Sequence, residues 1–174
     1  MAKIKYLLLI VIAVGAGLLT YWLNSQTQTP PITATTSPTP QTQYPPTAIR
    51  IAKLYLNLPV QAAVVHDNHW DLFDTSVSWL STSSVPGQGN VILYAHNRKQ
   101  LFGNLYQLKP GDVIEVQQQD HWLTYKVDIS RSVTAKDIDA VLSTDNRLTL
   151  YTCDGSFDQK RLVVYASPLH SSTQ

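Results

Sequence analysis

From residue 51 onward the chain breaks into short runs in which apolar and polar positions alternate, or in which a few apolar residues follow one another. Alternation marks a strand with one buried face, and a short continuous apolar run fits a strand covered on both. The first candidates are the alternating stretch 51–58, closed by Pro59, and the segment 61–66. Pro86-Gly87-Gln88-Gly89-Asn90 reads as a loop that leads into the apolar run Val91-Ile92-Leu93-Tyr94-Ala95. Lys109-Pro110-Gly111-Asp112 carries Pro and Gly in the central positions of a tight turn. A strand at 113–117 follows it, 122–129 is the return, and 148–152 and 161–166 are the last two strands. Helical spacing is confined to 71–80, 101–108 and 135–142. Many short strands and few helices predict a mostly β domain, a closed or nearly closed barrel with a few short helices.

Ahead of this domain the pattern changes twice. Residues 6–23 are eighteen in a row without a charge, preceded by Lys3 and Lys5. At about 1.5 Å per residue such a helix spans roughly 27 Å, close to a bilayer's hydrocarbon core. The leading lysines, with no charge after them until Arg50, predict a cytoplasmic N-terminus and a domain outside the cell. A cleaved signal peptide is the rival reading, but its apolar core is usually shorter. Tyr21-Trp22 fits an interfacial anchor. The next segment, 24–48, is rich in Thr, Pro, Gln and Ser and carries no charge. It holds too little apolar surface to fold alone and reads as an extended spacer. The expected organisation is an anchor in 1–23, a linker in 24–48 and one catalytic domain in 49–174.

Composition narrows the chemistry. Thirteen Lys and Arg against twelve Asp and Glu give a net charge of +1, so there is no electrostatic case for nucleic acid. Cys153 is the one cysteine, so no disulfide forms within the chain. Outside the cytoplasm structural cysteines usually come in pairs, which makes a lone thiol a candidate nucleophile. The alternative is an inert, buried cysteine acting as a small hydrophobe. A nucleophilic thiolate needs a base or a positive neighbour. His96 directly follows an apolar strand, a rigid place for a side chain that meets substrate, with Asn97 next to it. His66, His69 and His121 lie in polar, turn-like stretches and His170 in the tail, and no pattern among them defines a metal site. Arg161 opens the strand after Cys153. A hairpin between the two strands brings the guanidinium beside the thiol, where it is able to serve a substrate carbonyl or an oxyanion. An ordinary edge charge is the other reading.

Taken together these residues resemble the sortases. Thr149-Leu150-Tyr151-Thr152-Cys153 is similar to the family's Thr-Leu-x-Thr-Cys motif, Ala95-His96-Asn97 to its histidine pattern, and Arg161 to the arginine opening the strand after the cysteine. The order His, Cys, Arg also fits. The resemblance implies a sortase-like eight-stranded β-barrel and a membrane-anchored cysteine transpeptidase. Its expected substrates are surface proteins bearing a Leu-Pro-x-Thr-Gly-like sorting signal, cut between Thr and Gly through a thioacyl enzyme. The acyl group would then pass to an amine on the cell wall or another protein. On these positions Cys153 is the nucleophile, His96 the acid and base, and Arg161 the oxyanion donor. Thr152 is a candidate oxyanion contributor through its side chain, although alternation equally allows its burial, and Asn97 a candidate substrate contact. A hydrolytic endopeptidase and a silent peptide-binding barrel are the alternatives. No cofactor is expected. Calcium on Asp137, Asp139 and Asp145 is a lesser option, because acidic loop residues are usually just solvated. Segment 24–47 has no Asp-Pro-aromatic lid motif, no second apolar span follows the domain, and 130–147 is too short for a long insertion. Within the family these features fit class A, D, E or F. Selectivity is expected near Phe102-Gly103-Asn104 and in the loop 154–160.

Overall fold

A computed structural model describes residues 44–66, 69–154 and 159–169. The apolar span 6–23 and nearly all of the linker fall outside the described residues, as does the larger part of the loop after Cys153. Among the described residues no helix is long and apolar enough to cross a membrane.

The described strands are β1 (Pro46–Ile51), β2 (Leu56–Ala63), β3 (Val65–His66), β4 (His69–Trp70), β5 (Val77–Leu80), β6 (Asn90–Tyr94), β7 (Val113–Gln118), β8 (His121–Thr134), β9 (Arg147–Asp154) and β10 (Lys160–Pro168). Eight of them close into a barrel in the order β1-β2-β5-β6-β9-β10-β8-β7, with β7 returning to β1. This is the mostly β barrel expected from the alternation. Neighbours are antiparallel except β2–β5 and β6–β9. Parallel neighbours need a crossover. For β2–β5 it is the excursion 64–76, which carries the β3–β4 ribbon. For β6–β9 it is the long path through β7 and β8.

The barrel interior is one apolar core that includes Ile49, Ile51, Leu93, Ile114, Val116, Leu148, Leu150 and Val164, all without exposed surface. Leu101, Phe102, Leu105 and Leu108 also join it. β5 and β6 are buried at every position. Their outer face is covered by Trp70 and Phe73 of the excursion, which explains the unbroken apolar run at 91–95.

The expected turn at 109–112 is present: Asp112 N–H donates to the Lys109 carbonyl at 3.0 Å and Gly111 has φ 96°. Other elements differ from expectation. The stretch 51–58 is not one strand. A 3-10 turn (Ala52–Leu54) and Tyr55 at φ 55° reverse the chain between β1 and β2. β1 opens at Pro46, inside the segment read as linker. β2 runs through Pro59, which the ladder tolerates because pairing with β5 begins only at Val60. The helix expected at 71–80 is a bend followed by β5, since parallel pairing with β2 outweighs a weak helical pattern. Helices expected at 101–108 and 135–142 are single 3-10 turns, Leu105–Gln107 and Ile138–Ala140. Packing fixes these short segments without any need to complete a helix.

Candidate active site

β6, β9 and β10 are adjacent, and their alternation divides them into two faces. Leu148, Leu150 and Thr152 of β9 point into the barrel, as do Leu93, Ala95 and Val164. Tyr151 and Cys153 stand on the outer face with Tyr94 of β6 and Arg161 and Val163 of β10. Register does the rest. Arg161 pairs directly with Cys153 across β9–β10. The last β6–β9 pair is Tyr94 with Tyr151, and both strands run the same way. His96 and Cys153 therefore each lie two residues beyond that pair. Ala95 N–H extends the ladder by donating to the Tyr151 carbonyl at 3.4 Å. His96, Cys153 and Arg161 are all half-buried at one end of this outer face.

The chain end at His96 is held by its own loop. The His96 carbonyl accepts from Arg98 N–H at 2.8 Å and Phe102 N–H at 3.2 Å. Gly103 makes this turn possible: a Cβ there would lie 2.7 Å from the Arg98 carbonyl carbon. His96 Nε2 faces Asp74 Oδ1 at 3.7 Å, and Arg98 holds the same oxygen at 2.9 Å. Asp74 is exposed, so its attraction for a protonated imidazole is real but screened.

Cys153 and Arg161 line a cleft of about 360 Å³. One side is aromatic. Tyr94 and Tyr151 stack with centroids 5.2 Å apart, and Trp70 packs against both at 5.4 and 5.8 Å. Burial, and secondarily the Asp71 carboxylate, pushes the Tyr94 phenol up to about 12. Burial raises Tyr151 as well, with Tyr94 adding to it. Both rings stay neutral at working pH. The other side is the β8–β9 loop, which contributes Asp137, Ile138 and Val141.

The remaining expected residues divide. Thr152 is buried and its hydroxyl donates to the Ala95 carbonyl at 2.8 Å. That single proton is engaged in tying β9 to the residue before His96, so it is not offered to an oxyanion. Asn97 is exposed in the turn after His96. Phe102 is a core residue whose ring plugs the barrel, while Gly103 and Asn104 beside it are half-buried. Residues 155–158 of the other expected selectivity loop lie outside the described residues. Asp137 caps the 3-10 turn by accepting from Ala140 N–H, and Asp145 pairs with Arg147 at 3.8 Å. Among the described residues no three His, Cys, Asp or Glu side chains gather as a metal site. Sequence reasoning missed Trp70, Tyr151 and Asp74 as parts of the site. The run Trp70-Asp71-Leu72-Phe73 was a usable signal, being too apolar for an exposed loop.

A family model described as the Sortase domain matches residues 49–169. The chain belongs to the sortase family. Solved structures agree. Sortase C1 from Streptococcus agalactiae is similar at 27% identity and TM-score 0.62, over 72% of this chain and 68% of that one. Sortase C-1 from Actinomyces oris is similar at 26% and 0.60, over 71% and 73%. A pilus-related sortase C of Group B Streptococcus, at 24% and 0.63 over 75% and 69%, shares the fold. No curated protein matches the sequence. The protein is a sortase-type cysteine transpeptidase. The expectation of class A, D, E or F finds no support, because these neighbours are sortase C enzymes. That expectation rested on the segments before and after the barrel and on the short segment 130–147, whereas the likeness spans the barrel as a whole.

Proposed function

We propose that residues 6–23 anchor this sortase in the cell membrane, with its N-terminus cytoplasmic and the barrel outside. In this reading it cleaves a Leu-Pro-x-Thr-Gly-like signal on surface proteins and joins the new carboxyl end to an amine on the cell wall or another protein. The observation that carries the reading is the register that sets Arg161 opposite Cys153 and brings His96, two residues past the end of β6, to the same level.

Cys153 Sγ attacks the threonine carbonyl carbon, and the carbonyl oxygen becomes an oxyanion facing the Arg161 guanidinium. The C–N bond to glycine then breaks, with His96 giving its proton to the departing amine. A thioester remains. The acceptor amine attacks it, His96 takes the proton that the amine sheds, and Cys153 leaves as thiolate. The aromatic pair Tyr94–Tyr151 shields one side of the thioester from water, which favours transfer over hydrolysis. The steps as proposed need no cofactor, and a calcium titration tests the acidic loop residues.

The test uses the full chain in detergent micelles, a panel of Leu-Pro-x-Thr-Gly-like peptides and an amine acceptor, with products read by mass. Cleavage between Thr and Gly with an amine adduct, absent in Cys153→Ala, is the expected result. Cleavage without adduct for every acceptor would replace transfer by hydrolysis.

A further inference from the structure

The cleft wall formed by the β8–β9 loop has little secondary structure of its own, only the Ile138–Ala140 turn. Two buried side chains of the barrel hold it from behind. Asn90, the first residue of β6, is 4% exposed. Its Nδ2 donates to the Val141 carbonyl at 2.8 Å, and its Oδ1 accepts from the Thr149 hydroxyl at 2.7 Å. Tyr165 of β10 donates its hydroxyl proton to the neighbouring Ala140 carbonyl. The same oxygen accepts from Arg131 Nε at 3.2 Å and a terminal nitrogen at 2.8 Å. Arg147 lies over the Tyr165 ring, 4.5 Å from its centroid. Val141 also packs on Val163 and Tyr165. Successive loop carbonyls are thus fixed by separate barrel strands, β10 and β6, and neither anchoring residue touches the Cys153 end of the sheet.

We propose that Asn90 and Tyr165 are positioning residues for substrate recognition: they hold the stretch 137–141 as a preformed wall of the peptide cleft. This rests on the reading of that cleft as the sorting-signal site. A wall already in place removes the ordering cost that a loose loop would charge to binding. The clamp therefore acts on peptide affinity and not on the bond-making steps. Asn90 is well suited to this, since its amide satisfies one donor and one acceptor at once and each lost bond leaves a buried group unpaired.

The experiment uses the full chain in detergent micelles. Tyr165→Phe keeps the ring beneath its arginines and removes only the hydroxyl. Asn90→Ala is the independent second variant. In a Cys153→Ala background, each weakens binding of a fluorescent Leu-Pro-x-Thr-Gly-type peptide about tenfold. In the active chain, KM rises by the same factor while kcat stays within about twofold. Amide hydrogen exchange across 135–146 quickens without peptide present. Unchanged affinity alongside faster exchange overturns the proposal, as does a fall in kcat with KM unmoved. Failure of Cys153→Ala itself to bind any peptide of the panel overturns the reading of the cleft and this proposal with it. That outcome is told apart because the parent protein alone reveals it.

Discussion

The two faces of β6, β9 and β10 carry different tasks on the same backbone. Inward, Leu93, Leu148, Leu150 and Val164 have no exposed surface and belong to the single core of the barrel. Outward, Cys153 and Arg161 are half-buried and only small apolar clusters cover the neighbouring positions. A step of one residue therefore crosses from stability to chemistry. The inward face makes the strands hold their register, and the register in turn is what brings His96, Cys153 and Arg161 together. Neither face does its work without the other, yet substitutions on them should be separable.

The largest effect is expected outward. Cys153→Ala lowers acyl transfer by at least about 10⁴-fold, since no other group in the site supplies a nucleophile. Arg161→Lys keeps the charge but loses the planar fork, and costs about 10²–10³ in kcat. Both variants should melt within a few degrees of the parent, as thermal unfolding followed by circular dichroism will report. A large fall in melting temperature for either would mean that the outer face also supports the fold.

Inward, the expectation reverses. Leu150→Ala, between Thr149 and Tyr151, removes a fully buried side chain and costs about 2–5 kcal/mol of stability. Transfer per folded molecule, measured well below the transition, should stay within a few-fold of the parent. A hundredfold loss in kcat with stability intact would break the division between the faces.

That division also explains what was legible in the sequence. The placement of Arg161 opposite Cys153 was readable because it follows from a hairpin, and that of His96 because it follows from a strand end, both local patterns. The barrel was readable from alternation. Asp74 and Trp70 were not, because they reach the site through the crossover between β2 and β5, and no local pattern predicts which face a crossover will cover. The split of 51–58 into two strands was hidden for a related reason. Tyr55 adopts a left-handed conformation that non-glycine residues seldom take, and the sequence gives no glycine there to announce it. Thr152 was left open between two roles, and only the Ala95 hydrogen bond chooses between them.

Thr152 sharpens the comparison because it faces inward yet touches the backbone before His96. Thr152→Val keeps the shape and removes the bond to the Ala95 carbonyl. The expected cost is about 1 kcal/mol of stability. Transfer should fall only a few-fold, through a less firmly held His96. Were the hydroxyl an oxyanion donor instead, kcat would drop about 10²–10³ with stability nearly unchanged. Measuring kcat and urea stability on the same preparation decides between these.

The effect that shows least at neutral pH compares a phenol on each face. Tyr125 lies inside the barrel and Tyr94 outside it, yet burial pushes both up to about 12 from 10.0. For such an acid the folded state keeps its proton while the unfolded chain sheds it. The unfolded state then binds fewer protons, so stability is complete below pH 10 and falls as pH rises from 10 towards 12. Each phenol contributes a slope of at most about 1.4 kcal/mol per pH unit in that window. Tyr94→Phe also loses the hydrogen bond to the Asp71 carbonyl, so this variant starts about 1 kcal/mol less stable at pH 8. Its stability curve should then meet the parent's as pH rises through the window and cross it once the parent has lost more than that about 1 kcal/mol. Tyr125→Phe should flatten the slope by the same amount. If only Tyr125→Phe does so, the cover of Trp70 over the outer face is open to water, and the protection of a thioester beside Tyr151 would have to come from the bound peptide instead.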